Sequence, residues 1–191
     1  MVKPVDGTTE IGSIPTVPRF GVNNVKGDEM ADNQRNKVFA AFLKKQLNKQ
    51  PRKILDVACG DGRLTVELSK LFPFSDITGL DPKPRGNKHK IKFIRGKFPE
   101  RIKQLETYDL IAAMHPDEAT WPIVQKCCEY HIIFAIVPCC IMHVPPTFPG
   151  GNLSKFIQYI INYAKEHSMR IVSTTLKIRG ANRAILGTPI L

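Results

Sequence analysis

Apolar residues along this chain switch repeatedly between two spacings. Ile54 to Ala58 is a compact, mostly β-branched run that predicts a buried strand, whereas Leu64, Leu68 and Leu71 recur at helical intervals and predict a helix over Arg63 to Phe72. Between them, Cys59 to Gly62 holds two glycines and predicts a tight turn. The alternation continues. Asp76 to Leu80 reads as a second strand ending at Asp81; Ile91, Phe93 and Ile94 mark a short third; Tyr108 to Met114 is a fourth. A fifth, His131 to Val137, is nearly continuous in apolar residues, as a strand covered on both faces should be. Helices are predicted over Asp28 to about Asn48, Glu118 to Cys128 and Leu153 to Glu166, the last starting at Asn152 or the glycines before it. Met169 to Ile178 and Arg183 to Leu186 alternate as a closing antiparallel pair. Strands separated by helices predict an α/β fold built on a doubly wound, mostly parallel sheet.

With 191 residues the chain is long enough for one sizeable core and short for two. Residues 1–27, rich in Pro, Gly and Thr up to Asn24, are expected to form a flexible arm. Residues 28–191 form one domain that includes the N-terminal helix. Five cysteines, an odd number with two adjacent pairs, do not suit a secreted disulfide framework. A reducing interior, cytoplasmic or nuclear, is expected. The start lacks a signal-peptide pattern, and the apolar run from Ile132 to Met142 is too short for a bilayer. The net charge of +11 changes the picture more: it predicts a surface suited to a polyanion. From Lys83 to Lys103 nine basic residues meet only Glu100 as an acid, so this segment is the expected phosphate-contacting face.

The glycine turn carries the candidate chemistry. Asp56 and Asp61 bracket Gly60 and Gly62, and carboxylates there would repel a pyrophosphate; they favour a cationic or hydroxyl-rich ligand. DVACGDG, followed by a second strand ending in an acid, resembles the first motifs of the class I S-adenosylmethionine-dependent methyltransferases. The resemblance covers roughly Asn33 to Thr188 and implies a seven-stranded sheet with its last strand inserted antiparallel. It implies S-adenosyl-L-methionine as cofactor, held at Asp56, Ala58, Cys59, Gly60, Asp61, Gly62, Asp81, Pro82, Gly96, Lys97 and His115, with Asp81 on the ribose hydroxyls. It also implies chemistry in the loop after the fourth strand, with Asp117 and His115 as the catalytic candidates. That loop, HPDEAT, departs from the Asn/Asp-Pro-Pro-aromatic loop of amino-directed nucleic-acid methyltransferases.

HPDEAT together with VPCC after the fifth strand resembles a little-characterised methyltransferase-like group, and more distantly the tRNA ribose methyltransferases. Charge and resemblance together give the expected function: methylation of RNA, tRNA or rRNA, with RNA as partner and a protein partner for substrate recognition. The expected acceptor-side residues are Asn33, Lys37, Lys88, Lys90, Lys92, Pro138, Cys139, Cys140 and His143. A protein or small-molecule methyltransferase, and a non-catalytic scaffold in an RNA–protein assembly, are the alternatives. No metal is expected: the chain lacks a Cys-x-x-Cys knuckle and adjacent cysteines on a strand point to opposite faces; Cys140, with no visible base partner, is expected to shape the acceptor pocket and not to act as a nucleophile.

Overall fold

A computed structural model of the chain describes residues 25–85 and 91–190, with side chains from Gln34 onward. Seven strands form one sheet: β1 (Lys53–Val57), β2 (Asp76–Asp81), β3 (Lys92–Arg95), β4 (Leu110–Met114), β5 (Ile133–Val137), β6 (Met169–Thr175) and β7 (Arg183–Pro189). Their order is β3-β2-β1-β4-β5-β7-β6. Strands β3, β2, β1, β4 and β5 run parallel, and β7 enters antiparallel between β5 and β6. The doubly wound sheet with an inserted antiparallel last strand is therefore present.

Four helices are described: α1 (Val25–Gln46), α2 (Arg63–Leu71), α3 (Thr120–Tyr130) and α4 (Leu153–Glu166). Successive strand residues point to opposite faces, and each face has its own core. On one, Ile54, Leu110, Ala112 and Ala135 meet Phe39 and Leu43 of α1 and Leu64 and Leu68 of α2. On the other, Leu55, Ile111, Ala113, Phe134 and Ile136 meet Ile123 and Val124 of α3 and Phe156 and Ile160 of α4. No helix among the described residues is long and apolar enough to cross a membrane.

Several element ends differ from the sequence reading for local reasons. The fourth strand begins at Leu110, not Tyr108, because the Asp109 carboxylate turns back to accept the Arg52 and Lys53 amides at 2.7 and 2.8 Å. The fifth begins at Ile133 because His131, at φ 52°, is the left-handed residue that ends α3. The helix after β4 starts as a 3₁₀ turn, Asp117–Ala119, and becomes α-helical at Thr120, which leaves Pro122 in the first turn, where its missing N–H costs nothing. At α4, Asn152 is the cap: its side chain accepts the Lys155 amide at 3.1 Å.

Candidate active site

All five parallel strands end at the same side of the sheet, and β6 and β7 carry their connecting turn to that side as well. A cavity of about 910 Å³ opens there. The β1 turn forms one wall. Ala58, Gly60 and Gly62 have φ of 59°, 56° and 86°, so the chain reverses sharply as it leaves the strand. Gly62 also has no room for a side chain: a Cβ would lie 2.5 Å from Ile91. Across the turn, Asp81 accepts the Gly60 amide at 2.9 Å on Oδ2 and the Lys83 amide at 2.7 Å on Oδ1. Each oxygen of that carboxylate retains a further acceptor position beside the cavity.

Asp56 lies beneath the turn, 1% exposed. Its Oδ2 accepts the Thr65 hydroxyl at 2.6 Å, while Oδ1 is buried with no partner. Burial pushes its carboxyl up to about 7; the Thr65 bonds oppose the shift and the Asp81 charge adds to it. The Cys59 thiol is pushed far above its usual range, first by burial and then by the charges of Asp56 and Asp81. It is an inert packing group against Gly79, where a Cβ would lie 2.7 Å from its sulfur.

The opposite wall is the loop after β4. His115 (φ 55°) has both ring nitrogens engaged: Nε2 lies 2.9 Å from the Ala181 carbonyl and Nδ1 lies 3.3 Å from Arg35 Nη1. A carbonyl requires Nε2 to donate and a guanidinium requires Nδ1 to accept, so the ring is the neutral Nε2–H tautomer. Burial, and then the Arg35 charge, lower its pKa against the opposing Ala181 bond and Asp117 charge. Glu118 pairs with Lys97 at 3.5 Å and with His143 at 3.0 Å, joining the loops that follow β3, β4 and β5. Asp117 (φ 47°) receives both thiols of the next loop on Oδ1, Cys139 at 3.0 Å and Cys140 at 3.4 Å.

The structure brings Asp56, Ala58, Cys59, Gly60, Asp61, Asp81, Pro82, Gly96 and Lys97 together around the cavity, with His115, Asp117 and His143. Gly62 supports the turn from behind. Pro138, Cys139 and Cys140 stand behind Asp117 and not in the lining. Cys139 and Cys140 do not point to opposite faces as expected: β5 ends at Val137, strand alternation no longer applies, and their sulfurs lie 3.8 Å apart. Cys140 therefore has a carboxylate neighbour that the sequence reading did not find. Lys37 and Lys92 lie outside the lining, and Lys92 is tied to Asp76 at 2.9 Å. The side chain of Asn33, and Lys88 and Lys90, fall outside the described residues. Arg35, Asn36 and Glu118 line the cavity and were not among the expected site residues; a polar cluster, ADNQRNK, at the start of α1 was the available signal.

A family model described as a methyltransferase domain matches residues 31–118. The malonyl-[acyl-carrier protein] O-methyltransferase of Bacillus anthracis is 31% identical over 104 residues, 49% of this chain and 38% of that protein, so the match spans well under half of that relative. Among solved structures, the plantazolicin methyltransferase BpumL in complex with SAH is 19% identical over 85% of this chain and 87% of its own, with a TM-score of 0.61. The sugar N-methyltransferase KedS8 from Streptoalloteichus is 12% identical over 97% of this chain and 100% of its own, with a TM-score of 0.58. These proteins are named for an acyl-carrier, plantazolicin and sugar substrates, which overturns the expectation of RNA as substrate and partner and of a role in RNA modification. Net charge carries no geometry: of the basic segment, Lys92 stays outside the cavity while Lys83, Arg85 and Lys97 line it. The sheet order is that of the class I methyltransferase fold, and the methyltransferase-domain match over residues 31–118 lies within it.

Proposed function

We propose that the chain is an S-adenosylmethionine-dependent methyltransferase acting on a small molecule. The observation that carries the reading is the Asp81 carboxylate, fixed by two backbone amides with acceptor positions remaining, facing the β1 glycine turn across one cavity. The residues present fit the cofactor: Asp81 suits a ribose diol, the buried, partnerless Asp56 Oδ1 suits a positively charged group at the turn, and Gly96 and Lys97 close the far end. When bound, the sulfonium cofactor supplies an electrophilic methyl group. The chain supplies position and proton handling. Neutral His115, clamped between Ala181 and Arg35, has no nitrogen in reserve and acts as a positioning residue. Asp117 has its Oδ1 occupied by thiols and its Oδ2 without a bond among the described residues; Oδ2 orients the acceptor or takes its proton.

A volume of about 910 Å³ sits at the upper end of the roughly 300–1,000 Å³ of small-molecule sites. It accommodates cofactor and a small acceptor together. Small-molecule substrates in the names of the matched proteins support the same class. The HPDEAT and VPCC loops, which meet at Asp117, mark the subgroup within the superfamily. The test pairs calorimetry with labelled methyl transfer to a panel of carboxylates, amino sugars and azole peptides. S-adenosylmethionine and its demethylated product are expected to bind, one acceptor class is expected to be labelled, and Asp117→Asn is expected to bind cofactor while losing turnover. NAD binding with no affinity for the sulfonium compound would overturn the cofactor, and full turnover by Asp117→Asn would remove Asp117 from the chemistry.

A further inference from the structure

The loop after β5 brings Cys139 and Cys140 to one carboxylate oxygen. Their sulfurs lie 3.8 Å apart, and they stand 3.0 and 3.4 Å from Asp117 Oδ1. These three atoms form one compact triangle of ligand types. A tetrahedral ion with metal–sulfur bonds of about 2.3 Å and a metal–oxygen bond of about 2.1 Å sets sulfur–sulfur edges of about 3.8 Å and sulfur–oxygen edges of about 3.6 Å. The sulfur–sulfur edge already has that length, and the sulfur–oxygen edges of 3.0 and 3.4 Å reach theirs by lengthening about 0.6 and about 0.2 Å, which rotation of partly exposed side chains supplies. We infer that Asp117, Cys139 and Cys140 form a binding site for a thiophilic divalent cation of the zinc class.

The donor set argues for that class. Two thiolates and a carboxylate are too soft for magnesium or calcium, which take oxygen ligands, and three protein ligands leave one tetrahedral position open. Glu118 and His143 are paired with each other, so neither is the fourth ligand as the side chains stand. Cys127 and Cys128, the other adjacent pair, are buried residues of α3, and among the described residues they belong to no cluster of three ligand types. Binding would replace the two thiol protons now directed at Asp117, so two protons leave per ion and affinity rises with pH. If the chain is a methyltransferase, the open position would hold water or the acceptor's lone pair beside the cavity. That use rests on the functional reading; the site itself does not.

The test uses the reduced, chelator-stripped chain titrated with cobalt(II) and then zinc(II). One equivalent of cobalt is expected to produce thiolate-to-metal charge-transfer absorption that zinc abolishes. Cys139→Ser and Cys140→Ser are each expected to remove the band without changing the circular dichroism spectrum or thermal midpoint, and Cys127→Ala is expected to retain it. Asp117→Asn, altered at an exposed position, is expected to bind more weakly and serves if a cysteine variant misfolds. Absence of stoichiometric binding, or a band that persists in both serine variants, overturns the site. These readouts need no turnover, so their failure leaves the methyltransferase reading standing, and a failure of turnover leaves the metal site standing.

Discussion

Asp56 is a carboxylate placed where water cannot reach it. In the folded chain it keeps its proton to about 7, whereas an unfolded aspartate releases it near 3.8. Between those values the native state holds the extra proton, so stability falls as pH rises. The contribution is fully present below 3.8 and lost by about 7. At about 1.4 kcal/mol per unit, the shift amounts to roughly 4 kcal/mol. Asp56→Asn keeps an acceptor for the Thr65 hydroxyl and removes the titration. Urea unfolding across pH 3.5–8 is expected to show wild type and variant converging at low pH, with the variant the more stable at high pH; parallel curves would contradict it. Asp81 differs because its amide partners already satisfy it in part. Asp81→Ala is expected to weaken cofactor binding about 10-fold or more in calorimetry, the loss of charged hydrogen bonds worth about 1.5–3 kcal/mol. The turn residues were legible in the sequence because glycine and aspartate mark such turns directly. The engagement of His115 was not: Arg35 and Ala181 stand 80 and 66 positions away, and no local pattern encodes those contacts.

At the scale of elements, helix α4 was read to the residue, and its cap explains why. Asn152 satisfies an end amide that no turn of helix can, and Asn152→Ala is expected to cost about 1 kcal/mol, seen as a lower thermal midpoint with unchanged cofactor affinity. By contrast α2 begins at Arg63 behind a Gly62 that offers no side-chain cap, and the Thr65 amide in its first turn is met instead by the buried Asp56 carboxyl. Gly79 in β2 is a packing requirement that periodicity could not show. Its missing side chain is the seat of Cys59, and Gly79→Ala is expected to destabilise the fold by roughly 1–3 kcal/mol in urea titrations while shifting the β1 turn. The strands β1, β4 and β5 were legible as buried apolar runs, but their first residues were not. A side chain from the neighbouring connection, Asp109, decides where β4 begins, and a left-handed His131 decides the start of β5.

For the whole molecule, one side of the sheet gathers the ends of the parallel strands with the β6–β7 turn, and Glu118 fastens three of the intervening loops. Because these ion pairs are exposed, Glu118→Gln is expected to change stability by under about 0.5 kcal/mol. It is expected to raise KM for the acceptor, measured by steady-state methyl transfer, because the cavity wall loosens. The misjudged substrate belongs to this scale too: charge is a property of the whole surface, while selection of an acceptor depends on the few groups that reach the cavity. Alternating strands and helices made the overall architecture readable, since each buried run must find a covering layer on both faces.

The place of β7 bears on how the chain reaches this state. It follows the other six described strands in sequence yet lies between β5 and β6, hydrogen-bonded to both. As the polypeptide leaves the ribosome, β5 must wait with an unpaired apolar edge, and β6 has no neighbour, until residues 183–189 emerge. A nascent chain stalled at Asn182 is therefore expected to stay protease-sensitive and to recruit holding chaperones, and release of a single further strand is expected to commit the entire domain to its final form.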